Sequence, residues 1–74
     1  MGKRVLSPEE KVRTEKAIVH LTLTYGYPPT LRELGAHLDL NFASVHHRLS
    51  ILRDEGRIDW EPSKSRTVRL AHLI

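Results

Sequence analysis

The stretch Thr30-Leu31-Arg32-Glu33-Leu34-Gly35-Ala36-His37-Leu38-Asp39-Leu40-Asn41-Phe42-Ala43-Ser44-Val45-His46-His47-Arg48-Leu49 contains two helix starts joined by a tight turn, and its reading decides the fold. Thr30 and Glu33 form a capping box, in which the hydroxyl accepts from the amide of Glu33 and the carboxylate accepts from the amide of Thr30. Pro29 and Leu34 are placed as a hydrophobic staple, and the helix they open is short, ending near Leu38. Asp39-Leu40-Asn41 makes the turn. Aspartate tolerates the left-handed backbone better than most residues, and Asn41 can cap a further helix from Phe42, with Leu40 and Val45 as its staple. In that helix Val45, Leu49 and Leu52 recur at i, i+4 and i+7 as one narrow apolar stripe, and Gly56 is the natural stop. Ala43, His46, His47 and Ser50 lie opposite the stripe, Ser44 lies on its flank, and no acid appears until Asp54. Gly35 costs on the order of 1 kcal/mol inside a helix relative to alanine, a cost that close approach of the following helix would offset.

Upstream, Ser7-Pro8-Glu9-Glu10 is a second capping box with proline at the first helical position. The helix it opens should run to about Tyr25, where Gly26 can take the left-handed cap and Pro28-Pro29 forbid continuation. Thr14, Ala17, Ile18, Leu21 and Tyr25 project to one side of it, and Val12, Val19 and Leu23 project nearly opposite. Only one side can face a small core. The other is either ordinary scattered surface or a contact surface. Downstream, Arg57-Ile58-Asp59-Trp60-Glu61 and Arg66-Thr67-Val68-Arg69-Leu70 alternate like strands around Pro62-Ser63-Lys64-Ser65, which predicts a β-hairpin with Trp60 beneath it in the core.

The chain has 74 residues, 39% of them hydrophobic and 28% charged, which suits one small soluble domain over residues 1–74. It contains no cysteine, so neither a disulfide framework nor a thiolate metal site is possible. No stretch suits a membrane span or a signal-peptide core, and a cytoplasmic location is expected. The net charge is +3. Lys64, Arg66 and Arg69 lie in the acid-free stretch from Pro62 to the C-terminus, either a phosphate-facing element or a solvated tail. Catalysis is not expected, because no glycine-rich phosphate loop, zinc-ligand pair or acidic dyad is visible. His46 and His47 are neighbours on a helix and point apart, so they cannot chelate one ion together. No cofactor or metal is expected.

A short helix, a tight turn, a second helix held from behind, and a trailing basic hairpin outline a winged helix-turn-helix, mainly α with a small β-hairpin. The major groove admits one helix, and the helix 42–55 has the stripe to be held and the acid-free face to be presented. The hairpin 57–70 would then serve as a wing on the phosphates. Gly26-Tyr27-Pro28-Pro29-Thr30-Leu31-Arg32-Glu33-Leu34-Gly35, the run Ser44-Val45-His46-His47-Arg48-Leu49, and the run from Asp59 to Leu70 together resemble the N-terminal DNA-binding domain of the LexA-type SOS repressors. The resemblance covers nearly the whole chain and implies a sequence-specific transcriptional regulator on double-stranded DNA. By position in the family's motif, Asn41, Ala43, Ser44, His46 and His47 match the operator-reading region, and Lys64, Ser65 and Arg66 match the wing. The sequence itself adds Arg32, near a helix start, as a candidate phosphate contact. Phe42 can either touch a thymine methyl or pack on the preceding helix.

The chain departs from the family's pattern in three ways. The turn into the third helix is one residue shorter, Asp39 replaces the customary glycine, and the self-cleaving, dimerising peptidase domain has no counterpart in these residues. Ser63, Lys64 and Ser65 sit too close together to act as its serine/lysine dyad. The ending Ala71-His72-Leu73-Ile74 does not look like a flexible linker, which favours a stand-alone protein over an excised domain. One such domain reaches a single half-site, so two copies on a palindromic operator, or a partner protein, are expected. Val12, Val19 and Leu23, or the apolar C-terminus, are the candidates for joining copies. The alternative function is a protein-interaction module that docks a host repressor or RNA polymerase.

Overall fold

The computed structural model describes residues 6–71 and shows three helices followed by a short antiparallel hairpin: α1 (Pro8–Tyr25), α2 (Leu31–Leu38), α3 (Phe42–Asp54), β1 (Ile58–Asp59) and β2 (Arg69–Leu70). The terminal segment His72-Leu73-Ile74 lies outside the described residues.

Each helix opens where its capping signal lies. Ser7 Oγ accepts from the Glu10 amide at 3.1 Å and Glu10 Oε1 accepts from the Ser7 amide at 3.0 Å. The same reciprocal pair joins Thr30 and Glu33, at 3.1 and 2.8 Å. Asn41 Oδ1 accepts from the Ser44 amide at 2.8 Å. Gly26 ends α1 with φ 84°, and Asp39 ends α2 with φ 61°, the left-handed turn residue expected there. At the end of α3 the Gly56 amide donates to Arg53 O and the Arg57 amide to Leu52 O, both at 2.9 Å, a Schellman pattern around Gly56 at φ 76°.

The core joins Ala17, Ile18 and Leu21 of α1, Leu34 and Leu38 of α2, and Val45, Leu49 and Leu52 of α3 to Ile58, Trp60 and Val68 of the hairpin. Thr14 is buried without strain on its hydrogen bonding, since its hydroxyl donates to Glu10 O at 2.8 Å and accepts from Arg48 Nη1 at 3.2 Å. Ionic contacts tie α1 to the elements around it. Arg57 meets Glu15 with two hydrogen bonds of 2.7 and 2.9 Å, and Lys11 reaches Glu55 at 2.9 Å.

Two expectations are corrected. Tyr25 does not complete the buried side of α1. It is 37% exposed and stacks on Tyr27 with ring centroids 5.8 Å apart, because the last turn of α1 runs past the core. The hairpin ladder is also shorter than the alternation suggests, pairing only Ile58 with Leu70 and Asp59 with Arg69. Arg66 adopts the left-handed conformation with φ 57°, which ends strand geometry. Between the strands the Thr67 hydroxyl holds the loop, accepting from the Glu61 amide at 3.0 Å and donating to Glu61 O at 3.1 Å.

Gly35 meets the turn as well as α3. A Cβ built on it would lie 2.7 Å from the Leu40 carbonyl oxygen and 3.2 Å from Val45 Cγ2. The nearer atom is backbone and cannot swing away. Gly35→Ala is therefore expected to destabilise the fold by about 1–3 kcal/mol, against the direction of helix propensity. Urea denaturation checks this, and a more stable variant would mean that the turn gives way freely.

Candidate nucleic-acid interface

Val45, Leu49 and Leu52 are fully buried and fix α3 from behind, which leaves its other side free for a ligand. Ala43, His46 and His47 are exposed on that side, and Ser44 and Ser50 are half-buried. Asn41 is exposed, but its carboxamide oxygen caps the helix, so its NH₂ is the group left to meet an acceptor on a ligand. The Ser50 hydroxyl donates to His46 O at 3.0 Å and is satisfied within the helix.

The two histidines have different surroundings. His46 lies on the hairpin side of α3, edge-on to Trp60 at 4.9 Å and beside Phe42 at 6.2 Å. Arg53 stands over the other ring system of this row, 5.4 Å from the centroid of Trp60. Trp60 is only 7% exposed, the core position expected of it. His47 instead lines a cavity of about 310 Å³ with Asn41, Ala43, Ser44 and Arg48. Phe42 is 54% exposed, so much of its ring is open.

A cavity of about 290 Å³ lies where the start of α2, the start of α3 and the hairpin tip meet. Arg32, Phe42, Ser63, Lys64 and Ser65 line it. Arg32 and Lys64 are exposed and form no ion pair among the described residues, so both charges are available to an anion.

Arg66 is placed differently from the other wing residues. Its guanidinium donates to both carboxylate oxygens of Glu33, each at 3.0 Å, and to Pro28 O at 3.1 Å. It also stands 4.6 Å from the centroid of the Tyr27 ring. Unlike Arg32 and Lys64, this wing residue has its charge matched inside the protein. The hydrogen bonds from Arg66, and then that from the Thr30 amide, hold the Glu33 carboxyl below its ordinary range. A carboxyl lowered in the folded state contributes stability that is present above the ordinary carboxylate range and is lost as pH falls through the lowered value. The Arg66–Glu33 contact is thus intact at neutral pH. Short-range reading of the chain misses the second role of Glu33 and the support from Tyr27, because neither lies near Arg66 in sequence.

Among the described residues no group of three or more His, Cys, Asp or Glu could hold a metal, and no helix is long and apolar enough to cross a membrane. An acid-free helix face held by a buried stripe, beside a hairpin with a cationic tip, defines a winged helix-turn-helix DNA-binding domain. The chain belongs to the LexA DNA binding domain family, whose sequence model matches residues 16–67. It is 41% identical over 54 residues to the LexA repressor of Staphylococcus haemolyticus, covering 72% of this chain and 26% of that protein. Over 46 residues it is 46% identical to the LexA repressor of Enterococcus faecalis and 44% identical to that of Lactiplantibacillus plantarum, in each case 61% of this chain and 22% of the relative. The chain therefore spans about a quarter of the length of the curated relatives it matches.

Proposed function

We propose that this chain binds operator DNA sequence-specifically as a LexA-like transcriptional repressor, acting in the cytoplasm of a bacterial cell or a phage-infected host. The observation that carries the reading is the face of α3 from Phe42 to Arg53, exposed, free of acids and flanked by the wing. In this reading α3 enters the major groove, with Asn41, Ala43, Ser44, His46 and His47 toward base edges and the adjoining backbone. Arg32, Lys64 and Ser65 take phosphates on the wing side, where phosphate contacts fix the register. Two copies on a palindrome supply the surface that one helix and wing lack.

Selection of duplexes from a randomised library, followed by anisotropy titration at two salt concentrations, tests the function. A recovered inverted repeat with a large preference over scrambled DNA supports it. Weak binding without sequence enrichment that vanishes in salt overturns it. Lys64→Ala should weaken binding evenly across sequences and lower the magnitude of the salt slope by about 0.9, the share of one neutralised phosphate. An unchanged slope would remove Lys64 from the phosphate contacts.

One observation favours a protein partner as a second reading. A cavity of about 670 Å³ between α1 and α2, lined by Val12, Lys16, Ala17, His20, His37 and Leu38 among others, shares no residue with the wing or α3. Val12 is 43% exposed and Leu23 78% exposed on the outer side of α1. Val12→Asp with Leu23→Asp should spare DNA binding and break such a contact.

A further inference from the structure

Arg66 combines a backbone conformation unfavourable for a side-chain-bearing residue with a guanidinium held on three sides. Its φ is 57°, Glu33 receives two of its hydrogen bonds, Pro28 O receives a third, and Tyr27 lies under its plane. A left-handed non-glycine residue persists where its surroundings over-determine it. Glu33 is itself fixed, since the same carboxylate closes the capping box of α2 by accepting from the Thr30 amide at 2.8 Å. The wing tip is therefore connected through a single carboxylate to the helix that crosses behind α3.

We propose that Arg66 is a positioning residue for DNA recognition: a strut that, through Glu33, sets the height of the wing tip beside the first turns of α2 and α3. The inference rests on the DNA-binding reading above and assigns a task within it. Lys64 lies two residues before Arg66 and lines the same cavity as Arg32 and Phe42. The strut places the Lys64 charge where a phosphate lies when α3 occupies the groove. It follows that an acidic residue near the DNA, Glu33, assists binding, although its charge alone would oppose it.

Two substitutions separate this role from phosphate neutralisation. Glu33→Gln removes the charge and keeps a side chain that serves equally at the third position of a capping box. Arg66→Lys keeps the positive charge and loses the planar fork that grips two oxygens. If Arg66 is a strut, both variants bind the selected operator roughly fivefold more weakly near 0.15 M salt, the contribution of one phosphate contact at a slope of ~0.9, and both show a lower slope. If Arg66 is only a phosphate ligand, Arg66→Lys binds like the parent chain and Glu33→Gln binds more tightly. Either of those results overturns the proposal.

Amide hydrogen exchange on the free proteins forms a second arm that involves no DNA. Exchange at residues 64–67 should accelerate in both variants, while the amides of α3 keep the parent rates. Unchanged exchange at the tip overturns the strut. Faster exchange at the tip with undiminished affinity overturns its part in recognition alone. If the parent chain enriches no operator, the proposed function fails, and the positioning role fails with it whatever the exchange rates show.

Discussion

His47→Glu is expected to abolish operator binding while leaving the fold intact. His47 is exposed on the presented side of α3, away from the Trp60 row that holds His46, so a carboxylate there meets neither the core nor the wing. In the groove it would face phosphates and base acceptors with like charge, and such juxtaposition costs several kcal/mol. At about 1.4 kcal/mol per factor of ten, affinity should fall by at least about a hundredfold. Anisotropy titration against the selected operator measures the loss, and circular dichroism confirms that the helices remain. Full binding by this variant would mean that α3 does not enter the groove on this side.

Leu49→Ala should produce the largest loss of stability. Leu49 is completely buried at the middle of the α3 stripe, within the cluster that draws on all three helices and the hairpin. Truncating such a leucine removes its transfer free energy and leaves a cavity, for a cost of about 2–5 kcal/mol. Small domains hold about 5–15 kcal/mol in total, so the variant should be partly unfolded at temperatures where the parent is folded. The denaturation midpoint in urea should drop sharply with little change in slope. Operator DNA in excess should restore part of the loss, because it binds the folded form alone. An unfolding free energy within about 0.5 kcal/mol of the parent would show that neighbouring side chains close the gap, contrary to a core packed at ordinary density.

The helix starts were legible because each is specified by side chains within four residues of one another: Ser7 with Glu10, Thr30 with Glu33, and Asn41 with Ser44. Gly26 and Asp39 were legible as left-handed turn residues for the same local reason, and the Val45, Leu49, Leu52 stripe by its spacing. Family likeness, together with the acid-free face of α3, led to the interface. The contacts of Arg66 were not legible. The capping pattern accounts for Glu33 completely at short range, and its second partner lies 33 residues further along the chain. Only the fold brings them together. Alternation makes the hairpin ladder look longer than it is, because it sets the side of each residue and says nothing about backbone handedness, which changes at Arg66. Gly35 does meet α3 at Val45, yet its nearest obstacle is the Leu40 carbonyl, since side-chain patterns do not report where a neighbouring backbone passes.

The local capping of every helix has a consequence for how the chain reaches this state. Starting a helix is its costly step, and capping contacts that close over three or four residues offset part of that cost; a topology dominated by neighbouring helices then folds fast. The segment between the two short strands has local turns at Glu61–Lys64 and Lys64–Thr67, but no helix or ladder that extends them. It takes shape when Val68 and Trp60 settle on the completed helices and the side chains of Thr67 and Arg66 find their acceptors. Its closure is expected late in folding and its opening early in unfolding, so the wing is the part of the domain expected to cost least to release.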